Sequence, residues 1–410
     1  MDIYVRGEKK MEIQTLKRSH LKRNILIAVV VVLVISAVIL NFTRARYRVT
    51  QSIPLVNGTI NYTAPDLNIV AIYVDGVATD TLPDASASYC EIDGERAEVT
   101  LSYDSATQAL SVTPFTTRGT KCTLYFEEAS SAVDIIEGLY EDNQDILAYD
   151  GTTDNNLRYI GENPANYVYF NCSDYSNPSS STCELWRIIG IMNNMESADG
   201  SSESLVKLIR NESLGLMAWD DGGSSNWSGS LGNILNSDYL NRTGDYSSTG
   251  ITSATRNMIE TVIWKLGGPS SVGATASTFY TAERGTNVYS RHPTEWEGKI
   301  ALIYPSDYGY ATSGGSTGRD TCLRYDLTDW RSYSECFNND WLYTGSTYWV
   351  LTPSAVYDYT VYTVYNSGPI SSTSRTDRSN YTYPSLYLTS NVTITGGSGT
   401  ESNPYTLEIS

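Results

Sequence analysis

Histidine is nearly missing from this chain. There are two in 410 residues, and only His292 lies beyond residue 50. One imidazole is too few for a histidine-based metal site and just enough for a single catalytic triad. Cysteine does not occur before position 90, and the spacing C-x-x-C does not occur at all, which argues against a thiolate zinc site. Lysine is scarce while acid is plentiful: 28 Lys/Arg stand against 46 Asp/Glu, a net charge of −18. The first 50 residues hold 10 of the basic and 3 of the acidic residues, leaving 18 and 43 beyond them, a net of −25. So acidic a body repels phosphate backbones, and nucleic acid is set aside as a partner. Long apolar runs are missing too, with one exception.

That exception is Ile25 to Leu40, sixteen residues without a charge. As a helix it spans about 24 Å, or roughly 30 Å with the residues up to Arg44, enough for a bilayer. Seven Lys/Arg precede it, and Arg44, Arg46 and Arg48 follow. The bias predicts a cytoplasmic N-terminus. A cleaved signal peptide needs a shorter apolar stretch and a small-residue cleavage site, and no such site follows. The expectation is a basic cytoplasmic tail at 1–24 and an uncleaved signal-anchor at 25–44. The chain is then a single-pass protein of the cell membrane, with Ile25–Leu40 as its membrane contact and its bulk extracellular. The cysteines are Cys90, Cys122, Cys172, Cys183, Cys322 and Cys336. An even count on the outer side reads as disulfides. Proximity favours Cys90–Cys122, Cys172–Cys183 and Cys322–Cys336 among the fifteen possible connectivities.

Tyr, Ser, Thr, Asn and Gly dominate what remains, a mixture suited to a hydrogen-bonding β-protein with many loops. Within 51–128, NIVAIYVDG, RAEVTLSYD, ALSVTP and KCTLYFEE alternate apolar and polar residues between turns. They predict a small Ig-like β-sandwich, serving as a stalk. Within 129–149, Val133, Ile136, Leu139, Ile146 and Leu147 recur near helical spacing and predict a linking helix. The remainder, 150–410, is organised around CELWRIIGIM at Cys183–Met192. Apolar on nearly both sides, it reads as a central strand, with Leu205–Ile209 as its hairpin partner. Leu231, Leu235, Tyr239 and Leu240 form one helical face. Met258, Ile259, Val262 and Ile263 suggest a second helix, stopped by Gly267–Gly268. Strands dominate after that, so the class is α+β.

Candidate chemistry is thin. GGSTG at Gly314–Gly318 matches a nucleophile-elbow spacing but sits in a polar loop, where the elbow needs a strand before it and a helix after. His292, in SRHPTEWEG, reads as a surface turn residue. Glu295 and Glu297 flank Trp296 and share a face of an extended chain, which is the residue set, though not the usual placement, of a glycosidase. Asp326 and Asp329 with Asp320 and Glu335, and Asp142, Asp145, Asp150 and Asp154, are acidic loops. No cofactor is expected, and calcium is the one ion such loops would suit. The most suggestive stretch is Trp349 to Tyr383, rich in Tyr, Ser, Thr, Asn and Arg. Tyrosine offers rigid amphipathic contact area and serine adaptable hydrogen bonding. The candidate binding residues are Tyr357, Tyr359, Tyr362, Tyr365, Asn366, Arg375, Arg378, Asn380 and Tyr381.

Several strings, taken as a set, resemble a family of surface proteins of unknown function from Gram-positive gut bacteria. They are DGTTDNNLRYIGENPANYVYFNC, CELWRIIGIM, NWSGSLGNILNSDYLN, EWEGKIALIYPSDYGYAT, YWVLTP and SLYLTSNVTITGGSGTESNPYTL, spanning about residues 150–407. That family is related by pattern to the C-type-lectin-like fold shared with formylglycine-generating enzymes. The resemblance implies a C-type-lectin-like mixed α/β domain with two helices, in which first and last strands meet. Relatives often read Arg-Pro-x-Leu on the closing strand. Here Tyr383 replaces that Arg, ahead of Pro384, Ser385 and Leu386. Formylglycine chemistry needs copper-binding thiols, whereas the close spacing of Cys322 and Cys336 looks structural. The expected function is ligand binding, of a glycan or a protein, by a membrane-anchored adhesin without catalytic residues. A structural protein of the cell envelope is the alternative, and an enzyme of the formylglycine or glycosidase type is a third reading.

Overall fold

The computed structural model describes residues 130–198, 200–270 and 273–409 and, before them, only the backbone of six strands between Ile72 and Glu127. The expected anchor Ile25–Leu40 and the Cys90–Cys122 pairing lie outside the described residues. Among those described, no helix is long and apolar enough to cross a membrane.

The chain divides into two units, Met1–Glu128 and Ala129–Ser410. In the first, Ala87–Ile92 lies between Glu95–Asp104 and Thr123–Glu127, and Glu95–Asp104 pairs in turn with Ala109–Thr113. Three of these four antiparallel strands carry the alternating runs RAEVTLSYD, ALSVTP and KCTLYFEE, and NIVAIYVDG holds Ile72–Val74. Ile72–Val74 and Val77–Thr79 form a separate hairpin.

The second unit is mixed α/β. Its main sheet is antiparallel and runs Ile300–Ala301, Ser385–Tyr387, Ser202–Arg210, Glu184–Glu196, Leu157–Tyr159, Leu147–Tyr149. Glu184–Glu196 is central, 13 residues long, and buried without a break from Trp186 to Met192. Burial on both faces explains why the run lacks polar alternation. Its first half pairs with Tyr167–Phe170 and its middle with Leu157–Arg158 on the same edge. Gly190 permits the second approach, because a Cβ there would sit 2.1 Å from the Leu157 carbonyl oxygen. Gly190→Ala is therefore expected to destabilise the protein by about 1–3 kcal/mol, the usual cost of overpacking. Urea unfolding measures this, and an unchanged midpoint would show that the two strands do not approach so closely.

The segment expected as a linker belongs to this unit. Its helix, Ala132–Leu139, begins with a reciprocal cap between Ser131 and Asp134. Ala132 and Ile136 enter the core, and Leu147–Tyr149 is a sheet strand. Leu231, Leu235, Tyr239 and Leu240 are buried along one helical stretch, Ser230–Asn233 continuing as Ile234–Tyr239. The second expected helix is a correction. Only Ser253–Asn257 is helical, and Val262–Lys265 is a strand paired with Glu295–Gly298. Val262 and Trp264 point inward while Ile263 and Lys265 are half-exposed, a period of two. Gly267 ends no helix here; it packs against the C-terminal carbonyls of another helix, Ala276–Glu283.

The stretch Ser385–Ile394, read as one closing strand, is divided between two strands, Ser385–Tyr387 and Val392–Gly396. Ser385–Tyr387 pairs with Ser202–Arg210, one strand away from the central one. After a turn closed by Val392 N–H donating to the Thr389 carbonyl, Val392–Gly396 pairs with Thr406–Ile409. The end of the chain reaches an early strand instead: Tyr169 N donates to Tyr405 O, and Tyr405 N to Tyr167 O. Among the described residues two disulfides are present, Cys172–Cys183 at the start of the central strand and Cys322–Cys336.

Candidate ligand-facing surface

A second sheet runs Leu216–Ala218, Ser379–Tyr381, Tyr348–Pro353, Thr360–Val364, Ile370–Arg375. Two of its three inner strands, Tyr348–Pro353 and Thr360–Val364, are buried along their whole length, whereas Ser379–Tyr381 is mostly exposed. Trp349 sets the position of one outer strand by donating from Nε1 to the Met217 carbonyl at 2.8 Å. The tyrosine-rich stretch is therefore core along these two strands and reaches the surface in the turns and on Ser379–Tyr381.

Tyr362 is the correction this forces. Only 3% of it is exposed, and its ring meets Phe279 edge-on at 5.2 Å. Seven of the other eight candidates fall into two groups. Tyr365 and Asn366, in the turn after Thr360–Val364, meet Tyr381 around Thr347: Asn366 N donates to Thr347 Oγ1 and Tyr381 N to Thr347 O, each at 3.2 Å. Leu216 lies across from Tyr381 and is 61% exposed. At the other end of Thr360–Val364, about 17 Å away at 3.3 Å per residue, stand Tyr357, Tyr359, Arg375 and Arg378. Arg375 pairs in register with Thr360 and forms a two-bond pair with Asp377, at 2.8 and 3.0 Å. Asn380 is half-buried between the groups, opposite Met217.

Tyr357 and Tyr359 are 53% and 49% exposed, with ring centroids 5.6 Å apart and planes 35° from parallel. Their loop is held at several points. Ser354 Oγ accepts from Val356 N and Tyr357 N. Thr376 N donates to Tyr359 O. Asp358, between the two tyrosines in sequence, has His292 Nε2 2.9 Å from Oδ1, accepts from Ser224 Oγ at 3.2 Å on the same atom, and accepts from Ser225 N on its carbonyl. The supporting loop is itself braced by Asp220, which accepts from Ser224 N, Ser230 N and Ser230 Oγ. Burial raises the Asp220 carboxyl, but these N–H and O–H donors outweigh it and hold it low.

His292 does close a turn, donating its N–H to Tyr289 O, but its side chain is mostly enclosed, with Ser225 Oγ 3.5 Å from Nδ1 and Asp358 Oδ1 2.9 Å from Nε2. The sequence set Ser–His–Asp is thus met, but Ser225 is buried and its N–H is already used. The adjoining cavity, of about 10 Å³, has room for a single water and none for a substrate. Ser316 of the GGSTG segment sits in a 3-10 turn and donates to Glu335 at 2.9 Å. Glu295 and Glu297 do share an exposed face, but Trp296 points the other way, toward Trp227 at 5.9 Å, so the carboxylates and the ring are not one platform. Glu295 is paired with Lys265 at 2.6 Å. Cys322 and Cys336 are buried in their disulfide. Among the described residues, no three His, Cys, Asp or Glu side chains converge as a metal site. A groove of about 440 Å³ lies between Ile135, Leu139, Tyr159, Ile394 and Tyr405, and none of the nine candidates lines it. No protein-family model matches the chain, and no curated protein and no solved structure matches it.

Proposed function

We propose that this chain is a membrane-anchored bacterial surface protein whose distal unit, on a C-type-lectin-like scaffold, binds a glycan or protein ligand at the Tyr357–Tyr359 surface. The anchor is the apolar run Ile25–Leu40, and no catalytic residue is assigned. The observation that carries the reading is the pair of half-exposed rings on a loop tied from several sides. Elsewhere in the unit most large aromatics serve the core. These two stay in water and already have a fixed arrangement, so a ligand meeting them loses little side-chain entropy.

The test is an array of glycans and host proteins probed with the full chain in detergent. Specific hits are expected, and the double variant Tyr357→Ala/Tyr359→Ala should weaken them at least about tenfold, as for central aromatic anchors elsewhere. Hits that the double variant leaves at full strength would move the site away from this surface.

A further inference from the structure

We infer that His292 is a positioning residue for this surface and makes the order of the Tyr357–Tyr359 loop depend on protonation, an inference that rests on the reading just given. Asp358 lies between the two tyrosines in sequence, so fixing it fixes both. His292 Nε2 is its closest side-chain partner, at 2.9 Å, and comes from a segment 66 positions away. The backbone of that segment is itself closed by His292 N donating to Tyr289 O, and the imidazole lies against the Tyr289 ring at 5.5 Å. The bond therefore joins two loops of separate origin.

Asp358 is the charged group facing the ring. The small cavity beside the ring is lined from the supporting loop by Ser225, Asn226 and Trp227, and from its other walls by Leu266, Val288, Pro293 and Pro353, none of them charged. Tyr289 is the other titratable neighbour, and Arg291, beside it in sequence, is exposed. Neutral imidazole has one N–H. It either donates to Asp358 from Nε2 or carries its proton on Nδ1 and turns a lone pair toward a carboxylate. Imidazolium donates from both nitrogens, to Asp358 and toward Ser225 Oγ, and its bond to the carboxylate is charge-assisted. The protonated ring therefore holds the loop more firmly than the neutral one.

Amide hydrogen exchange on the full chain in detergent tests this without a ligand. After correction for intrinsic rates, protection of residues 356–359 should rise about five- to tenfold from about pH 8 to about pH 6, the margin of a charge-assisted over a neutral bond. His292→Gln keeps a neutral donor and should show the wild-type alkaline level at both values. Asp358→Asn should also lose the pH response. Tyr357→Ala/Tyr359→Ala should keep it, so failure here and failure on the array are separate results. Protection independent of pH in the wild type, or a pH response surviving in His292→Gln, would overturn the inference.

Discussion

Asp307→Asn is expected to destabilise the protein by about 3–5 kcal/mol, the cost of removing one partner from a buried ion pair. Asp307 Oδ1 receives Arg158 Nη1 at 2.7 Å and Oδ2 receives Lys207 Nζ at 2.6 Å. The Tyr304 N–H also donates to Oδ2, at 2.8 Å, at the start of the helix Pro305–Tyr310. Arg158 turns its Nε to Asp150 at 2.8 Å. All four side chains are essentially withdrawn from water. Burial alone would raise the Asp307 carboxyl, but Lys207 and Arg158 outweigh it and hold it well below the usual range. Burial pushes the Lys207 amine down to about 8, and Asp307 is the main group resisting that fall. Lys207 is also ringed by Trp264, Tyr304 and Tyr387, with centroids 4.6 to 5.3 Å from Nζ.

An amide at position 307 leaves two buried cations facing the single carboxylate of Asp150. The loss should be read by urea unfolding near neutral pH. Lys207→Met in the Asp307→Asn background should recover part of it, because the uncompensated amine goes while the aromatic cage keeps an apolar filling. A single variant within about 1 kcal/mol of wild type would show that the network is exposed to water in solution.

This network was only half legible. A lysine inside SLVKLIR, apolar on both sides, announces a buried charge that needs a partner. Which carboxylate answers it is not a local property: Asp307 is 100 positions from Lys207 and 149 from Arg158. The central strand, its hairpin partner, the helical face at Leu231–Leu240 and the two close disulfides all follow from signals within about a dozen residues. The errors sit where local signals are ambiguous. A short apolar run such as Met258–Ile263 fits either period, and cross-strand pairing with Glu295–Gly298 decides. Tyrosine count marked a surface, yet TVYTV is covered on both faces, and Tyr362 goes inward. His292 looked peripheral because its partner lies in a different loop.

Glu283→Gln should have the largest effect of pH. Glu283 is fully buried, with Oε1 accepting from Ser306 N at 3.0 Å and Oε2 from Ser306 Oγ at 2.5 Å. Burial is the main influence and raises the carboxyl from 4.5 to about 7; Arg284 and the Ser306 bonds oppose it, and the nearby Asp307 charge adds to it. A folded value above the unfolded one means the stabilisation is complete below 4.5 and is lost as pH rises through about 7. At about 1.4 kcal/mol per unit, the loss is about 3 kcal/mol. Glutamine keeps an oxygen for the Ser306 N–H and does not titrate. Wild type should therefore lose about 3 kcal/mol relative to Glu283→Gln across this window, measured as urea midpoints at a series of pH values. Asp340, also raised by burial, contributes with the same sign in both proteins and cancels from the difference. Asp307 and Asp150 are lowered, so their stabilisation is lost as pH falls below 3.8, outside the window. A wild-type-minus-variant difference that stays flat from about pH 4.5 to about pH 7.5 would mean that Glu283 ionises as freely folded as unfolded, and that its enclosure by Ser306 and Arg284 does not hold in solution.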